Sequence, residues 1–285
     1  MAKPLRVLVF AGYYVPHQGG YTKSLQGLFQ GLVAAGHLVP VVTCNVFRQK
    51  TEEYVEGIRV IRFPAWHILK GTYPVIIPSW STFRLLRSLW KEKFDVISTQ
   101  TLFFTTSFLG AFYSWARRIP LIHTERGSCH SVVSNPLIDL ISRLIDHTLG
   151  AWVIHRARYN IGVSKATCGF LKHLGAKHTL PIPNGVELTP ILSVSHRNAL
   201  REKWDLTKED YVMLFVGSFI PAKGLQDILP LVRSWRTIEP RLKLLVAGGG
   251  VQRERHEKMI SNFAIQDSVK LMGLLSHENL MECLQ

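Results

Sequence analysis

The chain has 285 residues, 47% of them apolar, which excludes a disordered protein and predicts about two globular domains. Its four cysteines show neither C-x-x-C spacing nor the density of a disulfide framework, so we expect reduced thiols in a reducing compartment that serve as small hydrophobic residues. No apolar run reaches the roughly 18 residues of a membrane-spanning helix, and the run near Leu5 lacks a signal-peptide cleavage site, so neither element is expected.

The formal net charge of +14 is concentrated in the first part of the chain. Residues 1–185 contain 21 Lys and Arg against 8 Asp and Glu, whereas residues 186–285 contain 13 against 12. A basic domain of this kind indicates an anionic partner, namely nucleic acid, an acidic membrane surface or a phosphorylated substrate. Solvated charge without a target is the alternative interpretation.

Apolar runs alternate with helix-length segments through the first half of the chain. Apolar residues at i, i+3, i+4 and i+7 spacing predict a helix over Tyr21–Ala35 that stops at Gly36. Alternation of this kind implies parallel strands with crossover helices, and hence a doubly wound α/β sheet. The other predicted elements are strands at Leu5–Phe10, Leu38–Thr43, Ile58–Phe63, Asp95–Thr99, Leu121–Thr124 and Tyr159–Val163, and helices at Pro136–His155 and Lys165–Leu174.

A short segment with two prolines and an Asn-Gly pair, Leu180–Val186, has the composition of a connection between domains. We therefore predict domains at residues 1–183 and 184–285. The alternation then begins again, which predicts a second α/β domain. Its predicted elements are helices at Arg197–Asp205, Gln226–Ile238 and Gln252–Phe263 and strands at Tyr211–Val216, Leu242–Ala247 and Val269–Met272.

Six short motifs occur in a characteristic order along the chain. They are PHQGG at Pro16–Gly20, VS at Val163-Ser164, PNGV at Pro183–Val186, GSFIPAKG at Gly217–Gly224, LLVAGGG at Leu244–Gly250 and VKLMG at Val269–Gly273. Together with the connection in mid-chain, this order resembles the GT-B glycosyltransferases of family 4.

The resemblance implies a GT-B-like α/β fold of two facing Rossmann-like domains, with the acceptor bound mainly by the first and a nucleotide-sugar donor by the second. It implies a retaining transferase that uses the nucleotide sugar as a substrate and needs no further cofactor. The acceptor would be a glycan or a lipid-linked sugar. We expect a cytoplasmic protein with no nucleic-acid partner, and the basic first half suggests peripheral contact with the anionic inner face of a membrane.

The predicted donor loop lies at the carboxyl end of a strand, where open α/β sheets bind their ligands. Lys223 can reach a phosphate there, and the backbone amides that enter the next helix face the same way, so that together they could hold a diphosphate. A solvated turn is the alternative for this loop. In the family an arginine follows the first glycine, whereas this chain has Ser218, so one of two expected cations is absent. The candidate donor-binding residues are Gly217, Ser218, Lys223, Gly224, Gly248 and Gly249.

A second candidate site lies in the first domain. Gly19 and Gly20 precede a predicted helix and expose amides to a ligand, and a plain turn is the alternative. His17 stands beside them, either as a site residue or as a surface histidine. In the family a histidine commonly stands before a glycine at the end of the Leu121–Thr124 strand, but this chain has Arg126 at that point. The catalytic candidates therefore remain open among His17, Glu125 and Arg126, with His123 also considered.

Two aromatic stretches bear on partners and core. The stretch Trp66–Lys93 mixes apolar and basic residues, which fits either a helix at a membrane interface or an amphipathic helix packed on its own sheet, and we favour the second. Phe103, Phe104, Phe108, Phe112 and Trp115 recur at helical spacing and are predicted core residues. No metalloprotease, nucleophile-elbow or cysteine-nucleophile pattern occurs, so we expect no protein-held metal.

The predicted second domain shows three clear strands, where a doubly wound sheet has about six. By resemblance, two glutamates that hold the donor sugar and ribose would follow position 285, so we expect this domain to be incomplete. A glycosyltransferase, alone or completed by a second polypeptide, is the first hypothesis. An inactive remnant or binding subunit is the second, and an epimerase on the same fold is a distant third.

Overall fold

The computed structural model describes residues 3–17, 19–68, 73–130, 135–185, 199–276, 279–280 and 283. The chain forms two compact units, Met1–Val186 and Glu187–Gln285. In the described residues no helix is long and apolar enough to cross a membrane.

The first unit is built on a nine-stranded sheet. Its strand order is β3-β4-β2-β1-β6-β7-β8-β9, with β5 paired to β4. All neighbours are parallel except β3 and β5, which pair antiparallel with β4. The strands are β1 Val7–Ala11, β2 Val41–Asn45, β3 Glu52–Val55, β4 Ile58–Ile68, β5 Tyr73–Ile76, β6 Val96–Gln100, β7 Leu121–Glu125, β8 Tyr159–Gly162 and β9 Thr179–Pro181.

Helices connect these strands and cover the sheet. They are α1 Gly20–Ala34, α2 Trp80–Trp90, α3 Thr105–Arg117, α4 Pro136–Ile145, α5 Ala151–Arg156 and α6 Lys165–His173, with a π-helical turn at Asp146–Gly150 between α4 and α5. Strand β1 shows why the sheet is covered on both faces, since Leu8 and Phe10 enter one core while Val9 and Ala11 enter the other. A strand buried on both faces reads as a continuous apolar run, which is why the sequence predicted it.

Local signals place the ends of several helices. Helix α1 stops as predicted, because Gly36 adopts φ +87° and the amides of Gly36 and His37 donate to Val33 and Leu32 carbonyls. Ser164 of the VS motif caps α6 by accepting from Thr167 N.

The described part of the second unit contains a parallel sheet of three strands, in the order β10-β11-β12. These are β10 Tyr211–Val216, β11 Leu242–Ala247 and β12 Val269–Gly273, and the helices are α7 Ala199–Lys203, α8 Leu225–Ile238 and α9 Arg253–Asn262. Its core joins residues of β11 to α8 and α9. The predicted α/β fold with mainly parallel strands is confirmed in both units.

Three expectations are wrong in detail. The stretch Trp66–Lys93 is not one helix, since it contains the end of β4, the strand β5 and only then α2. Phe112 and Trp115 are about half exposed rather than core, because α3 turns that face away from the sheet. Cys129 is exposed rather than a buried hydrophobic residue.

Candidate active site

The carboxyl ends of β1, β6 and β7 meet at one edge of the first unit, where Ala11 is paired with Gln100 and Gln100 with Thr124. This is the edge at which open α/β sheets bind ligands. The site candidates Glu125 and Arg126 stand where β7 ends.

Glu125 is a buried carboxylate that ties this edge together. Its Oε1 accepts hydrogen bonds from the backbone amides of Arg126 and Gly127, each at a distance of 2.8 Å. Its Oε2 accepts from Leu102 N over 2.7 Å and lies 3.5 Å from His123 Nε2. Burial alone raises the pKa of Glu125, but the contact with His123 and the amide donors outweigh it, so the pKa lies below its ordinary value.

His123 is fully buried, with its Nδ1 3.0 Å from Thr99 Oγ1 on the neighbouring strand. Glu125 accepts three backbone hydrogen bonds and His123 is enclosed, so neither side chain is open to solvent in this structure. Both residues position the backbone at the end of β7, and the carboxylate holds the Arg126 and Gly127 amides in one conformation.

Arg126 is the partly exposed member of this group. Its Nη1 donates to Gln100 Oε1 over 2.9 Å, and its guanidinium lies 5.8 Å from the centre of the Tyr21 ring. Its Nε is buried without a hydrogen-bond partner among the described residues. Burial lowers the pKa of Arg126, although Tyr21 and Glu125 oppose that effect, and an arginine stays charged at neutral pH. Arg126 therefore presents an incompletely paired cation at this edge.

Helix α1 begins at Gly20, and among the described residues no side chain caps its first amides. The partial positive charge of a helix N-terminus is therefore open here, and Tyr21 of the same turn lies against Arg126. His17 stands beside the turn, with its Nδ1 2.9 Å from Thr22 Oγ1 and its ring stacked on Tyr13.

Burial lowers the pKa of His17, and the nearby His67 lowers it further, so His17 is neutral at neutral pH. A neutral imidazole can accept a hydrogen bond from a hydroxyl group or donate one to it. The structure thus brings His17, the Gly19-Gly20 turn and Arg126 to one edge, where they can hold an anionic or hydroxyl-bearing ligand.

The candidate donor loop of the second unit packs directly on the loop that follows β11. Gly217 N donates to Ala247 O over 3.0 Å, and Phe219 N donates to Gly249 O over 2.8 Å. Gly248 has φ +151°, and a Cβ at this position would lie 1.9 Å from Gly217 O. Glycine at 248 is therefore required by the contact between the two loops, whatever ligand binds there.

Lys223 is exposed at the end of a short 3-10 turn, Pro221–Lys223. Its Cγ lies 3.7 Å from the point that a Cβ on Gly217 would occupy, so its stem runs beside the end of β10. Its ammonium group has no partner among the described residues. Ser218 is also exposed, and Lys223 supplies the positive charge of this loop.

Helix α8 follows the turn, with Gly224 in the left-handed conformation at φ +75°. Asp227 already lies in the first turn of α8, where a carboxylate complements the helix dipole. Asp227 therefore offsets the positive charge of the helix terminus. Lys223 and the loop amides supply most of the positive charge that a phosphate would meet here.

A model of the family Glycosyltransferase Family 4 matches residues 18–189, more than half of the chain. The chain belongs to glycosyltransferase family 4. A second model, Glycosyl transferases group 1, matches residues 196–285. Both matches confirm the family to which the six sequence motifs pointed.

This family 4 glycosyltransferase is 27% identical over 284 residues to an uncharacterized glycosyltransferase of Methanocaldococcus jannaschii, covering 97% of the chain and 71% of the relative. It is 24% identical over 289 residues to the alpha-monoglucosyldiacylglycerol synthase of Acholeplasma laidlawii, covering 96% and 70%. The solved structure of Anabaena HepE in complex with UDP and glucose has a TM-score of 0.71 at 17% identity, covering 98% of this chain and 71% of that one. The structural likeness confirms the GT-B fold.

Sequence reasoning missed two side chains of the first site, Gln100 and Tyr21. Gln100 ends β6 just as Glu125 ends β7, so a search for polar residues at the ends of neighbouring predicted strands would have found it. Tyr21 gave no such signal, because its contact with Arg126 depends on the tertiary fold.

Proposed function

We propose that this protein transfers a sugar from a nucleotide-sugar donor to a lipid-linked or glycan acceptor, with retention of the anomeric configuration. The observation that carries the proposal is Lys223, whose ammonium has no partner among the described residues, beside the hydrogen-bonded glycine loops of the second unit. Ligands bind at the carboxyl ends of parallel strands, and the glycine backbone of this loop is closely packed there. An exposed cation beside it can bind a diphosphate through charge-assisted hydrogen bonds. Membership of a glycosyltransferase family supports a sugar nucleotide as the diphosphate compound.

In the proposed reaction the glycosidic bond to the diphosphate breaks and a new bond forms to the acceptor oxygen on the same face of the sugar. Lys223 and the loop amides stabilise the charge that develops on the leaving diphosphate. The diphosphate takes the acceptor proton. The Arg126 edge of the first unit, with neutral His17 and the open α1 terminus, is proposed to hold the acceptor.

Incubation with labelled nucleotide sugars tests this function. Purified protein is given a panel of uridine and guanosine diphosphate sugars with glycan acceptors and with lipid vesicles. We expect labelled product from at least one donor, with the configuration of the donor retained in its NMR spectrum. Binding of a nucleoside diphosphate with no transfer or hydrolysis across the panel would contradict the proposal and would identify a binding subunit or inactive protein.

We further propose that the acceptor is presented at an anionic membrane, at its cytoplasmic face. Helix α4 has no buried residue, and three leucines on it are each more than 60% exposed, at positions 137, 140 and 144. The helix follows the chain segment that carries Arg126, in the half of the chain that holds the excess positive charge. The Acholeplasma relative is by name the synthase of a glucosyl diacylglycerol, which is a lipid product.

Charged substitutions on α4 are expected to weaken membrane binding. The double variant Leu140→Asp and Leu144→Asp loses apolar surface and gains two negative charges, so the fraction that co-sediments with anionic vesicles should fall several-fold. Ile238→Asp, at an apolar position of the second unit that is 81% exposed, is the control and should leave co-sedimentation unchanged. Binding of the unaltered protein should also decrease as salt rises. Equal co-sedimentation of the α4 variant and the control would contradict this proposal.

A further inference from the structure

Three histidines from separate elements meet on the first unit, outside the candidate active site. His130 follows β7, His147 lies in the π-helical turn and His173 is the last residue of α6. One ring nitrogen from each lies within 4.8 Å of the other two. Their ring centroids are 5.2, 5.8 and 5.2 Å apart.

A buried carboxylate orients one of these rings. Asp146 Oδ2 lies 2.7 Å from His130 Nδ1, and the Asp146 residue is only 9% exposed. Since the carboxylate accepts a hydrogen bond, it fixes the proton on Nδ1 and leaves the Nε2 lone pair free. A carboxylate behind a histidine in this way is the usual partner of a metal-binding imidazole.

The spacing also suits a small divalent cation. Zinc binds imidazole nitrogen at about 2.0–2.1 Å, so three nitrogens of a tetrahedral site stand about 3.3 Å apart. His147 and His173 are exposed and can close the remaining distance by rotation of their side chains. Asp146 and His147 both lie in the π-helical turn. Turns of this kind are frequent at functional sites.

Packing of aromatic rings is the competing explanation, because Phe170 lies edge-on to His130 with ring centroids 5.1 Å apart. It explains why His130 is partly buried. It does not explain why one ring nitrogen of each histidine lies within 4.8 Å of the other two, beside a carboxylate that bonds one of the rings.

We propose that His130, His147 and His173 form a binding site for a divalent cation of borderline softness, zinc foremost, with the fourth position open to water. Asp146 is a positioning residue. The ion would link the segment that follows Arg126 and Gly127 to the end of α6 and to the π-helical turn. The three histidines lie far apart in the chain and match no spacing motif, so no metal site was expected from the sequence.

Metal binding by the full chain without a polyhistidine tag tests the proposal. Titration of the metal-free protein with zinc chloride, followed by calorimetry and by metal analysis after gel filtration, should give one zinc per chain. His147→Ala and His173→Ala should each lose this binding. Asp146→Asn should bind about 10–100-fold more weakly, as expected for a partner behind a ligand. Magnesium chloride should give no binding, because imidazole is a poor ligand for it.

His178→Ala removes an exposed histidine that has no contact with the cluster, and its zinc affinity should equal that of the unaltered protein. Cys129→Ser should also retain binding, which separates the histidine site from the exposed neighbouring thiol. Far-ultraviolet circular dichroism of each metal-free variant checks that the fold is intact. Absence of binding by the unaltered protein, or stoichiometric binding that persists in folded His147→Ala and His173→Ala, would overturn the proposal.

Discussion

Gly248→Ala is expected to lower the free energy of unfolding of the second unit by about 2–6 kcal/mol. Two costs add. The added Cβ would lie 1.9 Å from Gly217 O, which forces the two loops apart, at about 1–3 kcal/mol for an overpacked contact. The backbone of Gly248, at φ +151°, is also one that an alanine adopts only with strain of about 1–3 kcal/mol.

Gly249→Ala is the matched control in the neighbouring residue. Its added Cβ would meet the side chain of Leu274 at 3.5 Å, which is an ordinary contact. We expect its free energy of unfolding to stay within about 0.5 kcal/mol of the unaltered protein. Urea titration of the three proteins measures both effects, and equal stability of the two variants would contradict the loop contact described here.

The core of the fold could be predicted from the sequence because parallel strands covered on both faces leave a strong apolar signal. Strand β10, Tyr211–Val216, and strand β11, Leu242–Ala247, were predicted with their observed bounds. Strands β3 and β5 were missed because they are four-residue antiparallel partners of β4 with few buried positions, none in β3 and one in β5. The aromatic residues around β5 were then joined to α2 in one over-long helix.

The candidate sites could be predicted only by their place on the sheet. Both sets of candidates stand at carboxyl ends of strands, which sequence order already indicates. The different burial of His123, Glu125 and Arg126 could not be predicted, because it depends on tertiary contacts such as that of Leu102 N with Glu125 Oε2. The packing of Gly248 could not be predicted either, because it depends on how closely the Gly217 carbonyl of the neighbouring loop approaches it.

Lys223→Ala is the second substitution with a large expected effect, and it acts on binding rather than on folding. The side chain is exposed, so its removal should leave the free energy of unfolding unchanged within about 0.5 kcal/mol. A charge-assisted hydrogen bond to a phosphate contributes about 1.5–3 kcal/mol, which corresponds to an increase of about 10–100-fold in Kd. No arginine at position 218 can compensate for the loss of Lys223, because this chain has Ser218 where the family has an arginine.

The most direct measurement of the central claim is the binding of uridine and guanosine diphosphates to the unaltered protein, Lys223→Ala and Lys208→Ala by calorimetry. Lys208 is another exposed lysine of the second unit and serves as the matched control. We predict that the unaltered protein and Lys208→Ala bind one nucleoside diphosphate with equal affinity and that Lys223→Ala binds it about 10–100-fold more weakly. Equal affinity of all three proteins, or no binding by any of them, would contradict the assignment of the Lys223 loop as the donor site.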